Sequence, residues 1–248
     1  MPGRSVSAAV LLSVLGCTPV PSLVARKDVV VEITRPSPEP QPRTETISTT
    51  AELMGNRKTT EYLGSRSIQA TLYRHGIEKD RLFALQQDCK GQHDVQPLSI
   101  VVLSEIELPA GKWHPARGVW LMRYTFTRCD ESKVYNTAFF ASDDGEAPSS
   151  QAYYPGTTNA HPILVKDAMP SATVHAAIHG GGKDCKSADV FDMRVSEPAH
   201  DISDGTTTFK GVWTETWTFK ACGSAVDVLV TFVPDSNRGG TTFMIKMR

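Results

Sequence analysis

A stretch rich in aromatic residues occurs twice in the chain, and this duplication constrains the fold more than any other feature. The sequence GVWLMRYTFTRC at 118–129 aligns without a gap with GVWTETWTFKAC at 211–222, and both copies share Gly, Val, Trp, Thr, Phe and Cys. A second cysteine lies upstream of each copy, within DCK at 88–90 and again at 184–186. Two cysteines, a tryptophan and an aromatic strand that recur at nearly the same offset indicate a duplicated module.

Each module is predicted to be a four-stranded antiparallel meander with one disulfide, so the fold class is mainly β or α+β. The clearest strand is 226–232, where Val226, Val228, Val230 and Phe232 share one face with a period of two. The other strands are predicted at 99–103, 119–127, 134–140, 151–154, 190–195, 212–220 and 241–246. One helix is expected ahead of each module's first cysteine, the first interrupted at Gly76 and the second beginning at about Ser171, after Pro170.

The chain of 248 residues has room for two small domains. We predict a signal peptide at 1–16, a lipidated N-terminus and proline-rich tether at 17–63, a first module at 64–156 and a second at 157–248. The tether prediction rests on RPSPEPQPR at 35–43, since proline supplies no amide hydrogen for a sheet. Within it, DVVVEIT at 28–34 is an isolated strand that either docks on a sheet edge or stays in the tether.

The five cysteines divide into four that recur and one that does not. Bonds Cys89–Cys129 and Cys185–Cys222, one within each module, explain the symmetry most simply, although four cysteines formally allow other pairings. None of them lies in a C-x-x-C or His-Cys cluster, so a zinc site is not indicated. Paired cysteines imply an oxidising compartment.

The N-terminal residues predict an export signal, with Arg4 followed by the apolar run AAVLLSVL at 8–15. This run is too short to span a bilayer as a helix. The sequence Val14-Leu15-Gly16-Cys17 resembles the lipobox of bacterial lipoproteins, whose cysteine is acylated and becomes the new N-terminus. The resemblance implies a lipid anchor at Cys17, and Thr18 implies the periplasmic face of the outer membrane. The alternative is ordinary signal cleavage near Cys17, which would leave a free thiol.

A candidate binding site lies in the second aromatic strand, where Trp213, Glu215 and Trp217 fall on one face because side chains alternate. The opposite face holds Thr214, Thr216 and Thr218 and is predicted to face solvent. A buried carboxylate is costly unless it is paired or protonated. Glu215 is therefore either a ligand-binding or proton-transfer group, or half of a structural ion pair with an Arg or Lys, or turned outward by a bulge. Structural networks also hold such carboxylates, and we favour a structural role.

Three histidines, His175, His179 and His200, form the only candidate metal site. The first two are spaced i, i+4, which places both imidazoles on one face of a helix, where they could bind zinc or copper. The alternative is a helix end at His179, where a histidine favours the partial negative charge of the C-terminus. Apart from a divalent metal here, no cofactor is expected.

The C-terminal pattern GVWxExWTxxxCG followed by VxVxVxFxPD resembles small exported proteobacterial proteins of no assigned function. We expect a lipid-anchored cell-envelope protein that acts as a non-enzymatic binding, inhibitor or immunity, or assembly accessory module, with an envelope protein or polymer as partner. The alternative is a periplasmic metal- or small-ligand-binding protein that uses His175 and His179. An enzyme built on Glu215 ranks last, since no second acid, base or nucleophile matches it. The net charge of −1 gives no basic footprint for nucleic acid.

Overall fold

A computed structural model describes residues 44–91, 93–129, 131–181, 184–203, 205–235 and 239–247. The predicted signal peptide, the anchor at Cys17 and the predicted strand at 28–34 lie outside these ranges. Within them the chain forms two antiparallel sheets, one with strand order β1-β2-β3-β4-β5 and one with order β6-β7-β8-β9. The mainly β fold, with meanders in tandem, is therefore confirmed.

The first module holds five strands and three helices: β1 (Glu45–Ile47), α1 (Thr50–Gly55), α2 (Arg57–Leu63), α3 (Arg66–Leu82), β2 (His93–Leu108), β3 (Arg117–Arg128), β4 (Glu131–Phe140) and β5 (Ser149–Ala152). The second module holds one helix and four strands: α4 (Pro162–Gly181), β6 (Ala188–Ser203), β7 (Thr208–Ala221), β8 (Ser224–Pro234) and β9 (Thr241–Met247). No helix among the described residues is long and apolar enough to cross a membrane.

The two modules share their register and their disulfides, as the duplication predicts. Trp120 pairs with Phe139 across β3 and β4, and Trp213 pairs with Phe232 across β7 and β8. The rings stack in both modules, with centroids 5.3 Å apart in the first and 4.9 Å in the second. The disulfides Cys89–Cys129 and Cys185–Cys222 close loops with sequence separations of 40 and 37 residues.

Each sheet buries one face beneath helices, and the two cores are separate clusters. In the second module, small residues of α4, among them Ala168, Ala172 and Ala176, let the helix lie close to Trp217 and Phe219. In the first module, larger helical residues fill the same space: Leu53, Tyr62, Leu63, Ile68 and Leu72. Burying each large apolar side chain stabilises the fold by about 1.5–3 kcal/mol, so these clusters hold the helices on the sheets.

The tether predicted to reach residue 63 is too long, because residues 44–63 belong to the first module. Here β1 extends the first sheet to five strands, and α1 and α2 follow. Helix α1 begins with a capping box in which Thr49 and Glu52 satisfy each other's backbone amides. Ile47 and Leu53 are buried at 2% and 0% exposure. The polar and Ser/Thr-rich composition concealed this capping signal.

Both predicted helix interruptions are wrong, and packing explains why. Helix α3 runs through Gly76, where an added Cβ would lie 2.6 Å from the ring of Phe126. The glycine therefore lets the helix approach β3. Helix α4 runs through Pro170 and begins at Pro162. Proline removes one helical hydrogen bond, but the buried stripe from Val165 to Ala176 continues on both sides of it and holds the helix to the sheet.

Candidate functional site

Strand β7 places Trp213, Glu215 and Trp217 on the face of the second sheet that packs against α4, which we call the helix face. Glu215 and Trp217 are both 0% exposed, and Trp213 is partly buried. The sequence prediction that these three side chains share a buried face is therefore correct. The carboxylate lies within the module, with an indole on either side.

Five hydrogen-bond donors surround the Glu215 carboxylate. Trp217 Nε1 donates to Oε2 at 2.8 Å and Trp213 Nε1 donates to Oε1 at 3.0 Å. The remaining donors to Oε1 are Thr158 Oγ1 at 2.9 Å, the Asn159 amide at 2.9 Å and the Ala160 amide at 3.3 Å. A carboxylate offers about four lone-pair sites, so little acceptor capacity is left for a ligand.

This arrangement explains Glu215 without the ion pair or the bulge that sequence reasoning considered. None of the ion pairs in the described ranges includes Glu215. Neutral donors stabilise the charge instead, and hydrogen bonds to a charged group are about twice as strong as neutral ones. The structural interpretation therefore accounts for Glu215 better than a ligand-binding role does.

Three of the donors come from the segment between the modules, residues 153–161, which we call the linker. From the sequence, part of the linker was predicted only as the boundary between the modules. The linker bonds to both modules, since the Gly156 amide donates to Val134 O at 2.8 Å and the Thr157 amide donates to Met193 O at 2.6 Å. Gly156 has φ +91°, and an added Cβ would overlap the backbone of Met193. In the sequence, the linker's contact with both modules could have been predicted from the run GTTN at 156–159. Its small polar residues suit a backbone that is hydrogen-bonded on both sides.

On the first module, Arg123 and Asn136 hold the linker from the opposite side. Asn136 Nδ2 donates to Tyr154 O at 2.7 Å and to Gly156 O at 2.9 Å. Arg123 donates from Nε to Asn136 Oδ1 at 3.1 Å and from Nη2 to Thr158 O at 3.4 Å. Burial lowers the pKa of Arg123, and the negative charge of Glu215 partly opposes that shift. Thr158 thus lies between a cation of one module and a carboxylate of the other.

A cleft of about 240 Å³ opens beside this contact, between the two modules. Arg123 and Asn136 line it from the first sheet, and Met193 lines it from the second. Val101 and Leu121 also line it from the first sheet, and the linker and the start of α4 contribute Tyr153, Thr158, Asn159, Ala160, His161, Pro162 and Val165. The cleft therefore depends on the linker position that Glu215 fixes.

The opposite face of β7, which we call the threonine face, is not the open solvent face that the sequence predicts. Thr214 and Thr216 are 7% and 1% exposed. Arg194 on β6 forms an ion pair with Asp227 on β8, with nitrogen and oxygen 3.7 Å apart. Because β7 lies between those strands and Arg194 pairs with Thr216, the arginine side chain must cross β7 beside Thr216. Thr214 bonds instead to Glu197 Oε2 at 3.0 Å. The threonine side chains are therefore buried by neighbouring polar side chains and not by an apolar core.

A groove of about 1,120 Å³ crosses the far end of the threonine face. Its floor includes Val212 and Val233, and its sides carry Ile202, Phe209 and Met244. These last three apolar side chains are 41%, 39% and 47% exposed. The charged residues Lys210 and Asp235 also line it. Sequence reasoning missed this groove because its residues come from all four strands of the sheet.

The three candidate metal ligands are not brought together. The rings of His175 and His179 stack with centroids 6.5 Å apart on α4, whose last turn contains His179. His200 pairs with Val212, whereas Gly180 packs against Ala221 at the other end of β7. At about 3.3 Å per residue, these two ends of β7 lie about 30 Å apart. Among the described residues, no group of three or more His, Cys, Asp or Glu side chains is placed to hold a metal.

The first module contains a buried charged group that the sequence did not reveal. Arg128 is 0% exposed, and its Nε lies 2.5 Å from Asp80 Oδ2. The Tyr135 hydroxyl donates to Asp80 Oδ1 at 2.5 Å. Burial raises the pKa of Asp80, while Tyr135 and Arg128 oppose that shift.

The second module has apolar residues at each of these three positions. Ala221 aligns with Arg128 in the repeated stretch. Val228 corresponds to Tyr135, because it pairs with Trp217 as Tyr135 pairs with Tyr124. Ala176 corresponds to Asp80, because each lies the same number of residues before the first cysteine of its module. All three are 0% exposed. The module fold therefore forms without the charged group.

Comparisons of the chain with known protein families, with curated proteins and with solved structures each found no match.

Proposed function

We propose that this chain is a lipid-anchored protein of the cell envelope that binds another protein through its second module, without catalysing a reaction. The observation that carries the proposal is the groove on the threonine face. A surface groove with exposed apolar side chains is typical of a site that another molecule covers. Its apolar sides suit the side chains of a protein better than the hydroxyl groups of a polysaccharide.

The two disulfides support the compartment, because such bonds persist outside the reducing cytoplasm. The export signal and the lipobox resemblance at Cys17 support the anchor. Several acyl chains on one cysteine hold a protein on a membrane firmly, whereas a single chain gives marginal binding. An anchored protein searches only the membrane surface, which favours encounter with other envelope proteins.

The anchor is tested by metabolic labelling with a palmitate analogue in cells that produce the full chain. We expect label on the wild type and none on Cys17→Ser. Equal labelling of the two proteins would refute the anchor and favour simple cleavage of the signal.

The binding surface is tested by site-specific photocrosslinking in the same cells. A crosslinking residue at Phe209, in the groove, should give one adduct of defined mass. Ile178 is the matched control, because it is 61% exposed in the same module but lies on α4, against the other face of the sheet. The adduct should be absent at Ile178, and Lys210→Glu should reduce its yield at Phe209. No adduct at Phe209, or the same adducts at both positions, would contradict the proposal.

A further inference from the structure

The cleft between the modules contains a guanidinium group that has no carboxylate in contact with it among the described residues. Arg123 extends from β3 into the cleft, and none of the ion pairs among the described residues includes it. Its contacts are the Asn136 side chain and the Thr158 carbonyl, which engage Nε and Nη2. A guanidinium carries five N–H groups, so donors remain for an incoming acceptor.

Holding the linker does not by itself explain why a charged side chain stands at Arg123. A partly buried charge kept only for stability is expected to have an opposite charge in contact. Glu215 acts on Arg123 through space, but it lies beyond Thr158 and its oxygens accept from other donors. In the second module the equivalent residue is Thr216, so the meander forms without an arginine here.

Two further features at the start of α4 favour an anion in the cleft. His161 Nδ1 accepts a hydrogen bond from the Ile163 amide at 3.3 Å, which leaves the proton of a neutral ring on Nε2 as a donor. Helix α4 begins at Pro162, so its positive end faces the same space as Arg123. These groups all favour a negative charge in the cleft.

Four apolar side chains also line the cleft and limit the size of the ligand. Val101 and Leu121 line the cleft from the first module, and Val165 and Met193 line it from the second. The cleft volume of about 240 Å³ corresponds to about eight water molecules, at about 30 Å³ each in the liquid. A short carbon chain with one charged end fits both the volume and the lining.

We propose that this cleft binds a small carboxylate with a short apolar chain, and that Arg123 pairs with the carboxylate. Charge-assisted contacts between arginine and carboxylate combine strength with a planar, two-point geometry. The apolar chain would lie against Val101, Leu121 and Met193. This site is separate from the groove that we propose for a protein partner, so each can be tested without the other.

The test is a titration of the full-length exported protein, followed by the amide NMR signals of Asn159 and Ala160. Pentanoate is the probe, and pentanamide, which has the same shape without the charge, is the matched control. We expect saturable shifts with pentanoate at a Kd of about 1 mM or lower. A ligand of about seven non-hydrogen atoms can attain this affinity. Pentanamide should bind at least tenfold more weakly. Inorganic phosphate, which has charge and no chain, should also bind at least tenfold more weakly.

Three variants assign the site. Arg123→Thr copies the second module and should abolish saturation, whereas Arg117→Gln, on the same strand and exposed, should bind as the wild type does. Val101→Trp keeps Arg123 but narrows the cleft from a residue that is 41% exposed, and it should weaken pentanoate at least tenfold. If Arg123→Thr does not fold, Val101→Trp decides. Equal binding of pentanamide, equal binding of phosphate, or undiminished binding by the folded Arg123→Thr or Val101→Trp protein would overturn the proposal.

Discussion

Replacing Glu215 with methionine is the most informative single change, because the first module already carries Met122 at the equivalent position. Met122 is 1% exposed, so a methionine fits this place in the strand. The change removes the acceptor of five hydrogen bonds and leaves the donors in place. Three of those donors belong to the linker, so the loss should loosen the connection between the modules as well as the second core.

The expected loss is about 2 kcal/mol in the free energy of unfolding. Trp217 is 0% exposed, so water cannot replace the acceptor that its indole loses, whereas the Ala160 amide keeps Thr158 Oγ1 as an acceptor at 2.9 Å. The stranded indole donor costs about 1–3 kcal/mol, and the loss of the other bonds to a charged acceptor adds about 1 kcal/mol. The donors on Trp213, Thr158 and Asn159 are less buried and can bind water. The methionine adds apolar burial, which offsets about 1 kcal/mol of the loss.

Thermal melts of the wild type and Glu215→Met measure this loss directly. A loss of about 2 kcal/mol should lower the Tm by about 4–8 °C in a domain of this size. Met122→Glu is the reciprocal control and should also destabilise, because no linker donors surround that position. A Tm of Glu215→Met equal to or above that of the wild type would refute the structural role and restore a binding role for the carboxylate, since removing functional strain raises stability.

Arg128→Ala should lower the free energy of unfolding by about 3–5 kcal/mol in urea melts, because it leaves Asp80 buried and unpaired. Adding Asp80→Ala and Tyr135→Val, which copies the second module, should recover most of that loss, and no recovery would refute the equivalence of the two cores. His75 is 5% exposed beside Thr137, and burial lowers its pKa against the opposing pull of Glu78. As the pH falls, the unfolded chain therefore binds the proton at a higher pH than the folded chain does. The wild type should lose stability relative to His75→Gln below a pH of about 6.5. An equal pH dependence of the two melting temperatures would contradict this. Replacing Cys185 and Cys222 with alanine should cost about 4 kcal/mol in the chain-entropy model, and unchanged urea midpoints would argue against the bond.

The duplication was sufficient to predict the sheets. Alternation of apolar side chains and the repeated Trp and Cys positions determine register, because both are local and periodic. The eight strands predicted within the two modules are all present, although β2 and β6 extend well beyond the predicted ranges and β1, which lies in the predicted tether, was missed. The disulfide pairing followed from the same symmetry.

The helices and the site were harder to predict, because they depend on contacts distant in sequence. From the sequence alone, Gly76 indicates a break in the helix. Its role is clear only from the structure, where the ring of Phe126 packs against it. Glu215 is evidently unusual in sequence, but its partner Thr158 lies 57 residues away. The burial of Thr216 depends on an arginine of the neighbouring strand that crosses it to reach Asp227. None of these contacts leaves a periodic signal along the chain.

The central claim is that Glu215 fixes the linker and thereby joins the two modules into one body. Hydrogen exchange of the Asn159 amide tests it most directly, because this amide donates to the carboxylate, whereas the Ala160 amide also donates to Thr158 Oγ1. We predict that the Asn159 amide exchanges much more slowly than those of the exposed turn at 143–145 in the wild type, and that Glu215→Met removes this protection while the β7 amides remain protected. Exchange of Asn159 in the wild type as fast as in that turn would contradict the claim.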